Sequence, residues 1–220
     1  MGDDAWDLVD AERVALADFL TVLSPDEWST PSLCGMWSVQ EVAAHLAFAN
    51  TMPLRALFIE IARDRLRANR TNARLAQEWA RRGPDAIVAR LRDLDDAHSR
   101  TPVTRPQDVL ADFMCHNLDI RRPLGRERLA PPEPTRRALT TYVGLGFPQA
   151  LAFGRNPKAT ARSLHLVAED VGWEHGAGPL VTAPSSTLIR ALTGRPVAHD
   201  ELGGRGAAEL YARLEYRAAE

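Results

Sequence analysis

Apolar positions over the first fifty residues recur at helical spacing. Leu8, Val9, Leu16, Phe19, Leu20 and Leu23 form one stripe of residues 5–23 and predict an amphipathic helix there. Two short stretches then carry helix-start chemistry. In "SPDE" (24–27) Ser24 is placed to cap, Pro25 suits the first helical position and Glu27 closes a capping box, while Pro31 keeps the piece short. "SVQE" (38–41) repeats the box with Ser38 and Glu41, and opens a helix through His45 whose start Trp37 can staple. Pro53 kinks or restarts this helix, and helical patterning resumes to about residue 68.

The helical rhythm continues through the middle of the chain. "GPDAIVARLRDLDDAH" starts at Pro84 and puts Ile87, Leu91, Leu94 and His98 on one stripe. "RPQDVLADFMCHNLDIRRPLG" gives a further helix, closed by Pro123 and Gly125, and another is expected at about 135–152 after "LAPPEPT". Near residue 160 the period changes from helical to alternating. Leu164, Leu166 and Ala168 share one face, as in a half-buried strand, and "WE" and "LVTA" read as two more short strands set between turns. "SSTLIRALTG" and "GAAELYARLEY" read as closing helices. The expectation is an α+β protein: a helical bundle over 1–155, a break at "FGRNPKAT", and a small α+β domain over 160–220.

Composition narrows the function classes. Apolar residues make up 45% and charged residues 25%, as in a globular protein with a real core. A formal charge of −2 offers no basic surface for nucleic acid, and the local cluster "ARDRLRANR" suits a solvated helix face. No apolar run nears the roughly 20 residues needed to span a bilayer. The acidic start "MGDDAWD" does not read as a secretory signal, and two cysteines, Cys34 and Cys115, make no disulfide framework. A cytoplasmic protein with no nucleic-acid or membrane partner is expected.

His45 is the first residue that asks for chemistry. A neutral imidazole among alanines and leucines needs a hydrogen-bond partner or a metal. If "DVLADFMCHNLDI" is helical, Asp112 and His116 lie one turn apart on a shared side, with Val109, Phe113 and Ile120 marking the buried stripe. Asp112 and His116 then form a two-ligand claw that His45 completes from a facing helix, and three protein ligands with one open position are the pattern of catalytic zinc. On spacing alone, a lone histidine on an apolar face is more often a hydrogen-bonded core residue, and an Asp–His pair more often a surface ion pair. Asp119, three residues after His116, can orient its ring, ligate in place of Asp112, or pair with Arg121 or Arg122. His165, His175 and His199 lack ligand-like spacing, and there is no nucleophile elbow, P-loop or dinucleotide fingerprint.

Three stretches together, "LCGMWSVQEVAAHLA", "DFMCHNLDIRRPLG" and the tail "LHLVAEDVGWEHGAGPLVTAP" with "LTGRPVAHDELGG", resemble the mycothiol-dependent maleylpyruvate isomerase-like family. That family belongs to the DinB-like metal-binding helical-bundle superfamily. The resemblance implies an N-terminal DinB-like bundle followed by a small sterol-carrier-like α+β domain. It also implies a divalent metal, foremost zinc, on His45, Asp112 and His116, although the isomerase pattern has Glu where this chain has the shorter Asp112. The family's C-terminal domain supplies an active-site arginine, for which Arg195 in "LTGRP" is the nearest match. Arg121 and Arg122 are weaker candidates that also suit the negative end of their helix. The implied activity is that of an isomerase or S-transferase, with mycothiol as low-molecular-weight thiol and a small electrophile as substrate. The alternative is a metal-binding module that holds a small ligand or partner without turnover. Members of the superfamily often pair, so monomer and homodimer both remain open.

Overall fold

The computed structural model describes residues 3–35, 37–49, 52–64, 68–94, 98, 105–129, 131–145 and 156–215. The chain divides into two compact units, Met1–Arg128 and Leu129–Glu220.

The first unit is all helical among its described residues. α1 spans Asp3–Thr21, α2 Pro25–Ser29, α3 Val39–Phe48, α4 Leu54–Arg63, α5 Ala68–Ala80, α6 Pro84–Arg92 and α7 Pro106–Arg121. Both expected capping boxes form. Ser24 accepts from the Glu27 amide and returns its own amide to the Glu27 carboxylate, and Ser38 and Glu41 do the same at the start of α3. α3 is buried without interruption from Val42 to Ala47, and packs against α5, α6 and α7. Three alanines, Ala43, Ala44 and Ala47, let neighbours close around it, so α3 is the central helix of the unit. α1 closes the bundle against α6 and α7, burying Val9, Leu16 and Leu20 with Ile87, Leu91, Val109 and Phe113.

Some polar groups are folded into this core. Arg13, 1% exposed, donates to the Arg90 carbonyl at 2.7 Å, and Glu12 pairs with Arg128. α5 was not read from the sequence: its buried residues Thr71, Leu75, Ala76 and Ala80 are small or sparse, and its exposed face is heavily charged. The helix expected to reach His98 ends instead at Arg92. His98 is exposed, stacked on Trp6 with ring centroids 4.6 Å apart, and lies 2.9 Å from Asp10.

The second unit holds α8 (Pro132–Gly144), α9 (Pro157–Ala161), β1 (His165–Ala168), β2 (Trp173–His175), β3 (Leu180–Thr182), α10 (Ser185–Thr193) and α11 (Ala207–Glu215). The sheet order is β2-β1-β3, with β1 antiparallel to β2 and parallel to β3. The alternation in the sequence is realised: Leu164, Leu166 and Ala168 are fully buried. Gly178, at φ +145°, presses against the turn before β1, where a Cβ would stand 2.2 Å from the Ser163 carbonyl oxygen. α10 receives its first amide bond from Asp170, which accepts from the Ser185 N–H at 2.9 Å.

The division of the chain differs from the expected 1–155 and 160–220. α8 packs on α9, α10 and β2; Trp173 donates to Thr140 Oγ1 at 3.0 Å, and Arg136 to the Val171 carbonyl at 2.9 Å. Periodicity identifies a helix but not the core it joins. The proposed break at 153–161 is part helix, since α9 occupies Pro157–Ala161. The rest of that break, and the end of the helix expected to reach 152, lie outside the described residues. No helix among the described residues is long and apolar enough to cross a membrane.

Candidate metal centre

α3 and α7 pack side by side, and their buried polar residues meet between them. His45 lies on the last turns of α3, at the register fixed by the Ser38–Glu41 box. Asp112, His116 and Asp119 lie at i, i+4 and i+7 on α7, hence on one face. The loop between α2 and α3 is closed by a bridge between Pro31 and Ser38, and fastened to α7 where the Leu33 amide donates to the Asp119 backbone carbonyl at 3.2 Å. It brings Cys34 and Trp37 against the same cluster.

The geometry converges on one carboxylate. His45 Nε2 lies 3.5 Å from Asp112 Oδ2, and His116 Nε2 lies 3.4 Å from Asp112 Oδ1. The two imidazoles stand edge to face, with centroids 5.2 Å apart. Ligand atoms held about 2.0–2.1 Å from a tetrahedral ion are spaced about 3.3–3.4 Å from one another, so these separations fit the edges of such a site. Both histidines are buried, whereas the Asp112 side chain keeps 25% of its surface exposed and leaves a way in. The ring of Trp37 stacks on His116 and tilts over His45, at centroid distances of 6.1 and 5.2 Å.

The far ring nitrogens are treated differently. His116 Nδ1 lies 2.8 Å from Oδ2 of Asp119, a carboxylate with no solvent exposure. His45 Nδ1 is buried and has no hydrogen-bond partner among the described residues. Two Nε2 atoms facing one carboxylate suit a divalent cation, whereas the orphaned Nδ1 lies on the other side of the His45 ring and would not touch it. Cys34, His116 and Asp119 form a second group of potential ligands that shares His116.

Charge follows the geometry. Burial works to raise the Asp112 carboxyl, but the adjacent His116 charge, with hydrogen bonds to His116 and His45, outweighs it and holds the group well below the usual carboxylate range. Burial likewise works to lower His116, but the Asp112 charge and hydrogen bonds to Asp112, Asp119 and Cys34 hold it well above the ordinary histidine value.

His45, Asp112 and His116, predicted from sequence, are therefore brought together. Of the three roles open to Asp119, the structure shows the contact with the His116 ring. Arg121 and Arg122 are engaged elsewhere. Arg121 is buried against the Phe19 ring at 3.8 Å and bonds Asn117, with its pKa lowered by burial to about 10, and Arg122 pairs with Glu127. Arg195 belongs to the second unit, where it follows α10 and donates to the Thr193 carbonyl at 2.8 Å. Sequence reasoning missed the place of Cys34 in the cluster and used Trp37 only as a staple. Both sit in a loop with no period to read.

Two helices of a bundle bring together a His–Asp–His set of potential metal ligands, its histidines buried and its aspartate half-buried. Residues 9–115, just under half of the chain, match the family model of the mycothiol maleylpyruvate isomerase N-terminal domain. Over 94% of its length the chain is also similar to two solved structures, each covered to 94%. One is a crystal structure of a histidine-to-alanine mutant of the mycothiol-dependent maleylpyruvate isomerase, at TM-score 0.54 and 16% identity. The other is a crystal structure of the mycothiol-dependent maleylpyruvate isomerase, at 0.50 and 15%. At this identity the likeness establishes the fold, a helix-rich α+β architecture with a small three-stranded sheet. No curated protein shows significant similarity to the chain. The family resemblance drawn from the three sequence motifs is upheld.

Proposed function

We propose that the protein is a metal-dependent, mycothiol-dependent isomerase or S-transferase that adds a thiol to a small electrophile. His45, Asp112 and His116 are its metal ligands, and zinc its foremost metal. The observation that supports this most is the approach of both imidazole Nε2 atoms to the two oxygens of Asp112 at 3.4–3.5 Å. A divalent ion held there lowers the pKa of a coordinated thiol and keeps it as the nucleophilic thiolate. The residues do the rest of the work assigned to them. His45 and His116 fix the depth of the site below the surface, Asp112 supplies the single negative charge, and the Trp37 ring shields the imidazoles from water. Arg195 is proposed as the planar fork for a substrate carboxylate, with the C-terminal unit as a sterol-carrier-like module. The setting proposed is the cytoplasm.

The shorter Asp112, in place of the glutamate of the isomerase pattern, favours a second reading in which metal and thiol bind without turnover. The two separate in one experiment. Protein purified without a histidine tag is expected to carry near-stoichiometric zinc and to consume maleylpyruvate or a related electrophile only when the thiol is supplied. His45→Ala is expected to lose both properties. Zinc- and thiol-dependent thermal shifts with no product across a broad electrophile panel would favour the binding module, and a metal-free, unresponsive protein would end both readings.

A further inference from the structure

We propose that Asp119 is a positioning residue for the metal centre: it holds a proton on Nδ1 of His116, so that the Nε2 lone pair faces Asp112 and His45. The inference rests on the metal-site reading above and adds to it a residue that touches no ion.

A carboxylate is acceptor-only, and the Asp119 side chain is fully withdrawn from water, so an unpaired charge there would cost several kcal/mol. Its Oδ2 stands 2.8 Å from His116 Nδ1, a charge-assisted hydrogen-bond distance. The ring nitrogen on that side must therefore donate. A neutral imidazole has one donor and one acceptor, so Nε2, 3.4 Å from Asp112 Oδ1, is left as the ligating atom. The backbone carbonyl of Asp119 is fastened independently by the Leu33 amide, which steadies the turn of α7 carrying the carboxylate. His45 has no such support: its buried Nδ1 finds no partner among the described residues. The centre is thus asymmetric: a carboxylate orients the ring of His116 from its far side, and none does so for His45 among the described residues. Outer carboxylates of this kind are worth about 10- to 100-fold in metal affinity.

The test is zinc affinity, by chelator competition, of the full chain as parent, Asp119→Asn and Asp119→Ala, with melting of each metal-free protein alongside. The expected result is zinc binding weakened about 10- to 100-fold in Asp119→Ala and less in the isosteric Asp119→Asn, whose amide oxygen can still accept from Nδ1. A packing role alone would lower the melting temperature and leave affinity unchanged. Ring nitrogen NMR of the zinc-loaded parent needs no variant: it is expected to show His116 bound through Nε2, with a protected proton on Nδ1. Affinity within about twofold of the parent in a folded Asp119→Ala, or metal on Nδ1 of His116, would overturn the proposal. A parent that binds no zinc would instead overturn the metal reading on which it rests.

Discussion

Each unit buries a charged cluster, and the two are built on opposite principles. In the C-terminal unit Arg190, 2% exposed, meets Glu201, the Pro196 carbonyl at 2.5 Å and Thr187 Oγ1 at 3.1 Å. The two terminal nitrogens of the fork meet acceptors there, its Nε stays buried without a partner among the described residues, and the charge is countered within the chain by Glu201. Between α3 and α7, by contrast, two imidazoles and a carboxylate all present groups that bind cations. The Asp112 charge there favours the protonated form of His116 and holds its pKa above the ordinary histidine value. The contrast gives a working rule: a buried cluster whose charges are countered within the chain is architecture, and one made of ligand atoms suits an ion.

The largest effect should come from breaking the closed cluster. Glu201→Ala strands the Arg190 charge and is expected to cost about 3 kcal/mol in denaturant unfolding, with no change in zinc stoichiometry. His45→Ala should do the reverse. Zinc affinity is expected to fall by more than about 100-fold, beyond the range of an outer partner, while the metal-free protein melts near the parent temperature. If either variant disturbed both readouts alike, the division between architecture and ligand set would fail.

Acidity sharpens the same contrast. His116 has a folded pKa above its unfolded value, so in the metal-free protein its stabilising contribution is complete below about pH 6.5 and is lost as pH rises through the folded value. Zinc needs the neutral ring, so its stabilisation grows over that same rise. Melts with and without zinc should therefore differ more at about pH 8.5 than at about pH 6; a gap that narrows would contradict the ligand assignment. The smallest effect is expected from Ser38→Ala, which removes the cap of α3 at a cost of about 1 kcal/mol and weakens zinc binding only slightly.

What the sequence revealed follows from periodicity and local chemistry. The two S-x-x-E boxes specify helix starts because both partners lie within one turn, and both formed. The i, i+4 spacing of Asp112 and His116 is a property of any helix, so that half of the centre was legible. Its meeting with His45 depends on α3 packing against α7, which spacing cannot state and the family resemblance supplied. The allegiance of α8 was hidden for a related reason: Thr140 and Arg136 find their partners in a sheet read much later in the chain. Cys34 and Trp37 reach the cluster through a loop shaped by the Pro31–Ser38 bridge and Gly35 at φ +59°, where no repeat exists to be read.

The bond from the Leu33 amide to the Asp119 carbonyl has a bearing on selectivity. It ties the loop that leads into α3 to α7 through the main chain, which helps to set the gap between the imidazoles. A cage cut to that gauge suits ions with short bonds to nitrogen and few neighbours, such as zinc or nickel. Calcium, which asks for six to eight oxygens at longer reach, would meet only one carboxylate and two ring nitrogens in that set.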